Sequence, residues 1–166
     1  MDVTHLHLLL NHFPIIGTLI GCVVLIFGLL KKSREVQLVA CYLLIVMAFV
    51  SYPVMETGEG AEDTVEKIAG VSETIMHNHE EAAESAFTVM IITGILSLLS
   101  VILHFLKKSY FIWSAIITSI VAAVAFGFMA NAGYIGGQIR HTEIHSPHLL
   151  NNSTTNSTLQ NDTDDD

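Results

Sequence analysis

Apolar positions fall into four long blocks separated by short polar breaks. Phe13 to Leu30 and Val36 to Met55 contain no charged residue, Ser85 to Leu106 contains only the titratable His104, and Tyr110 to Tyr134 is again uncharged. Crossing about 30 Å of hydrocarbon takes about 20 helical residues, and blocks at about 13–30, 36–55, 85–106 and 110–134 meet that length. They are apolar almost all round, whereas a helix in water needs a polar face. Backbone groups in lipid must be satisfied internally, and the alternating segments of a β-barrel are missing from the pattern. The pattern therefore predicts an all-α protein, an integral membrane four-helix bundle.

The connections differ. Those after the first and third blocks are short, so each pair of blocks forms an antiparallel hairpin. The middle connection carries Glu59, Glu62, Asp63 and Glu66 at helical spacing, with Ala61, Val65 and Ile68 opposite them. That predicts an amphipathic segment over 59–69, ended by Gly70. Ser72 followed by Glu73 reads as an N-cap, so the third helix should begin well before its apolar block. Residues 1–148 form the transmembrane domain. Residues 149–166, which are polar and acidic without apolar periodicity, read as a disordered tail. The tail holds sequons at Asn151, Asn152, Asn156 and Asn161, which its Asn/Ser/Thr-rich composition alone would generate.

Charge gives the bundle a direction. Five of the seven Lys and Arg, namely Lys31, Lys32, Arg34, Lys107 and Lys108, sit in the two short connections, which the positive-inside rule assigns to the cytoplasm. Both termini and the 56–84 connection then face outward from the cell membrane. The start has no basic n-region, so the first helix reads as an uncleaved anchor. A net charge of -9 argues against a nucleic-acid partner, and 14% charged residues is low for a soluble enzyme. Cys22 and Cys41 lie in apolar blocks and form no metal or haem-attachment motif.

Fifteen of the sixteen acids and eight of the nine histidines fall on the outer side. At about 100° per residue, His5 and His12 share a face of the first helix while His7 points away. Pro14 either starts a helix, leaving His12 at its boundary, or kinks one, placing His12 inside. On the third helix His77, Glu80, Glu81 and Glu84 form a wet stripe. His79, Ala82, Ala83 and Ala86 form the opposite, packing face. Gly133, Gly137 and His141 share a face of the fourth helix, where small residues permit close approach. Imidazole with carboxylate suits iron, copper or zinc, and two imidazoles from different helices suit the axial positions of b-type haem. First-choice ligands are His12, His79 and His141, with Arg140 near enough to pair with a haem propionate. His5 and His7 come next, and Glu56 and Glu59 are alternative or supporting ligands. For His7, His77, His145 and His148 an amphipathic ring at the membrane interface is the simpler reading. Gly17 and Gly21 read as plain helix packing.

The pattern His7-x-x-x-x-His12-Phe-Pro, Thr57-Gly58 after the second block, a histidine opening the third helix, and Gly136-Gly137-x-x-x-His141 closing the fourth resembles a widespread prokaryotic family. Its members are four-helix membrane domains of unknown function, usually starting H-P-x-x-V-H-F-P. The resemblance extends to about residue 145, departs where Leu8 replaces proline, and implies the fold and the motif histidines but no activity. With no nucleophile arrangement or phosphate loop, stand-alone catalysis is not expected. Two functions fit: a haem b or transition-metal centre in a redox or metal-handling role, or a non-catalytic accessory subunit of a respiratory or oxidase-type complex. The bilayer is the common partner, with other membrane subunits in either case. Uncharged spans leave no polar path for a carrier.

Overall fold

The computed structural model describes residues 3–65 and 73–140, with helices α1 (Val3–Leu10), α2 (His12–Leu30), α3 (Arg34–Val65), α4 (Glu73–Phe105) and α5 (Phe111–Arg140). α1 and α2 run on as one broken span, so four helices are long and apolar enough to cross a membrane. Among the described residues every regular element is a helix. The break falls at Asn11. Pro14 has no N–H for the Leu10 carbonyl, and its ring crowds that oxygen, so the chain restarts a helix with Pro14 in the first turn.

The helices are longer than their apolar blocks. α4 has 33 residues and is about 50 Å long at 1.5 Å per residue, against about 30 Å of hydrocarbon. Hydropathy marks only the part that suits lipid. The flanking Glu, His and Ala residues are polar or small but contain no breaker, so the helix continues past it. Residues 59–65, read as part of a separate interfacial segment, continue α3 without interruption. The rest of that segment, Ser72 and the acidic tail lie outside the described residues.

The four spans pack in a ring: α2 against α3, α3 against α4, α4 against α5, and α5 back against α2. Close approach rests on small residues. A Cβ on Gly17 would collide with Met47, one on Gly21 would lie 2.8 Å from Leu44, and one on Gly94 2.5 Å from Ala48. The buried interior adds hydroxyls, most of which bond carbonyls of their own helix and a few one another. Ser100 Oγ lies 2.7 Å from Ser114 Oγ across α4 and α5, and Thr118 Oγ1 donates to the Ser114 carbonyl. Large apolar side chains such as Phe49, Ile95, Trp113 and Ile120 point outward. Such an exposed apolar surface suits a hydrocarbon surround.

Both hairpins turn in the same way. Lys32 and Lys107 have φ of 53° and 54°, the left-handed conformation. In the first turn Lys32 N–H donates to Leu29 and Ser33 N–H to Gly28; in the second, Lys107 donates to His104 and Lys108 to Leu103. Each is a Schellman closure that satisfies the last carbonyls of the incoming helix, with lysine where glycine is usual.

Candidate cofactor site

At the opposite end from these turns, two histidines enter the bundle. His7 on α1 is half-buried, and its Nδ1 lies 3.1 Å from the Val54 carbonyl oxygen of α3. A carbonyl only accepts, so Nδ1 carries the hydrogen and donates it, which leaves the lone pair on Nε2. Thr57 Oγ1 stands 3.4 Å from the same nitrogen. The ring lies flat enough on α3 that a Cβ on Gly58 would be 3.1 Å from its Cε1.

His79 repeats this arrangement on α4 and α5. It is also half-buried, its Nδ1 lies 3.0 Å from the Ala132 carbonyl oxygen, and a Cβ on Gly136 would be 2.8 Å from its Cε1. In both hairpins the glycine follows the accepting carbonyl by four residues, one helical turn, so carbonyl and glycine face the same ring. The Nε2 atoms of both rings, the usual donors to iron, copper or zinc, remain uncommitted by these bonds.

The other candidates lie elsewhere. His5 and His12 are both exposed, and His12 Nδ1 bonds the Leu8 carbonyl of its own chain turn at 3.0 Å. They do share a face away from His7, but it is the His7 face that turns inward, because α1 packs on α3. His7, read from the sequence as an interfacial ring, is half-buried and bonded to α3. Glu56 and Glu59 are exposed and line a groove between α3 and α4 with Tyr52, Glu84 and Phe87, a groove whose wall holds no histidine among the described residues. The wet stripe of α4 is present: His77 lies 3.6 Å from Glu80 and 3.4 Å from Glu81, all at the surface or near it. Arg140 is the last residue of α5, and His141, His145 and His148 lie outside the described residues.

On α5 the glycine that admits a close neighbour is Gly136. Gly137 faces open space and Gly133 makes only ordinary contact with Ile15. Sequence reasoning missed Gly136, Val54 and Ala132 as parts of a seat. Two of the three act through backbone carbonyls, which no residue type announces. Among the described residues no three His, Cys, Asp or Glu side chains gather as an ion site, so the two imidazoles are the site's donor set there. The chain matches no family model, no curated protein and no solved structure.

Proposed function

We propose that the chain is a multi-pass protein of the cell membrane that holds a b-type haem or a transition-metal ion at its outer end. Its role is redox or metal-handling, within a larger respiratory or oxidase-type assembly. The five basic residues at the turns support an orientation with that end, both termini and the 56–84 connection on the extracytoplasmic side.

One observation carries the cofactor reading: two half-buried imidazoles from different hairpins each donate Nδ1–H to a backbone carbonyl. That bond fixes the ring and raises the basicity of Nε2, the arrangement that metal-ligating histidines use. An interfacial ring would keep its polar edge in water. Of the motif residues behind the family resemblance, His7, Thr57-Gly58 and Gly136 contribute to these seats, whereas His12 is exposed and Gly137 faces open space. Supported by that coincidence, we extend the resemblance to a shared cofactor role.

Full-length protein, purified without chelators, should give reduced-minus-oxidised haem bands or at least one stoichiometric transition metal by mass spectrometry. If both are absent, the chain is the non-catalytic accessory subunit and the cofactor reading fails.

A further inference from the structure

We infer that the two histidine seats are halves of a single site on a pseudo-two-fold axis, and that its ligand is haem b held by His7 and His79 as paired axial imidazoles. This rests on the cofactor reading above and narrows it to one ligand, two residues and a six-coordinate state.

The symmetry comes from four independent correspondences. The ring order of the helices maps onto itself when α2 replaces α4 and α3 replaces α5. The two turns share one hydrogen-bond pattern and one left-handed lysine each. Each histidine precedes its turn on the leading arm and bonds a carbonyl on the returning arm, at separations of 47 and 53 residues. That difference divides evenly: counted from Lys32 and Lys107, each arm of the second hairpin is three residues longer. The glycine four residues beyond each carbonyl is the fourth correspondence.

Because both hairpins begin and end on the same side, the relating axis runs along the bundle. The broken span α1–α2 and the helix α4 are diagonal in the ring, so His7 on α1 and His79 on α4 belong to arms on opposite sides of that axis. Cofactor sites in helix bundles are built in this way, from side chains on facing helices. A ligand on such an axis meets the same imidazole twice.

Donor count then separates haem from a bare ion. A structural or catalytic zinc takes three or four protein ligands, and no such set is present among the described residues. Haem iron already has four porphyrin nitrogens and takes only axial protein ligands. Two imidazoles complete it, whereas exposed His5 and His12 and the groove carboxylates Glu56 and Glu59 are not required.

The test uses full-length protein expressed with haem supply and read by absorption and electron paramagnetic resonance. Wild type should be low-spin in both oxidation states and should not bind carbon monoxide. His7→Gly and His79→Gly should each lose the low-spin signal, turning high-spin and carbon-monoxide-reactive or losing haem. Added imidazole should restore the low-spin spectrum in each, which separates ligand loss from misfolding. His12→Gly and His5→Gly should keep the wild-type spectrum. Haem that stays low-spin in His79→Gly or His7→Gly overturns the inference while leaving the cofactor reading intact. So does a bound ion without haem, above all one released by His141→Ala. Absence of both haem and metal overturns the inference together with the reading on which it rests.

Discussion

In the first hairpin the histidine rides on a short helix that breaks at Asn11, three residues before a proline; in the second it rides on an uninterrupted 33-residue helix. The first ring has a hydroxyl, Thr57, beside its nitrogen, and three residues after the second carbonyl stands Ile135. The second hairpin is longer, but on both arms equally. Lengthening one arm alone by three residues would slide histidine and carbonyl about 4.5 Å apart. What the two hairpins share is thus the minimum that the seat requires: a ring, a carbonyl one turn from a glycine, and matched arm lengths. What they do not share is adjustable, and each difference gives a way to test how equivalent the seats are.

The largest effect should come from filling the glycine seats. Alanine favours a helix by about 1 kcal/mol over glycine, so Gly137→Ala, with nothing within 4 Å of the added Cβ, should stabilise by about that amount. Gly136→Ala gains the same propensity but sets a methyl 2.8 Å from the His79 ring. The ring must leave its carbonyl, which costs about 1–3 kcal/mol in a partly buried site. Unfolding in detergent should therefore place Gly136→Ala about 2 kcal/mol below Gly137→Ala. Gly58→Ala, with its contact at 3.1 Å, should fall between them. Equal stability of Gly136→Ala and Gly137→Ala would show that the His79 seat is not tight, and the parallel with His7 would fail.

A second comparison concerns the turns. Lysine in the left-handed region costs roughly 1–2 kcal/mol that glycine avoids, less about 0.5–1 kcal/mol for the greater freedom glycine loses on folding. Lys32→Gly and Lys107→Gly should each stabilise by about 0.5–1 kcal/mol, and by the same amount. A gain at one position only would mean that the two turns, alike in φ and hydrogen bonding, are loaded differently by the arms they join.

The hairpins were legible in the sequence because their signals are local: uncharged blocks fix the spans, and lysine clusters mark the turns. The end of α3 was less so, because residues 59–65 read as a separate segment and instead continue the helix. The start of α4 at Glu73, well before the apolar block at Ser85, is the one that Ser72 followed by Glu73 predicts. Within the site, the inward face of α4 followed from periodicity, and His79 was placed correctly by the alanines that accompany it. His7 was not, because periodicity separates faces without saying which one meets the bundle. That choice was made by α3, whose Val54 carbonyl and Gly58 lie some fifty residues away. The repeat itself left a trace, Leu-Lys-Lys-Ser at 30–33 and again at 106–109. The left-handed lysine is the second of the pair in one turn and the first in the other, so aligning the letters misaligns the hairpins by a residue.

The smallest expected effect sharpens the comparison most. Thr57 Oγ1 donates to the Pro53 carbonyl at 2.7 Å and stands 3.1 Å from Val54 O, the oxygen that also receives His7. With its proton committed at the shorter distance, the hydroxyl meets His7 only as a weak acceptor at 3.4 Å. The second seat manages with Ile135 in the matching place. Thr57→Val should therefore cost no more than about 0.5–1 kcal/mol, the net worth of one ordinary hydrogen bond, and Ile135→Thr should not stabilise by more. Unfolding of both variants beside wild type measures this. A loss well beyond that range for Thr57→Val would make the hydroxyl the true partner of His7. The first ring would then be held by a side chain and the second by backbone, two seats of different construction.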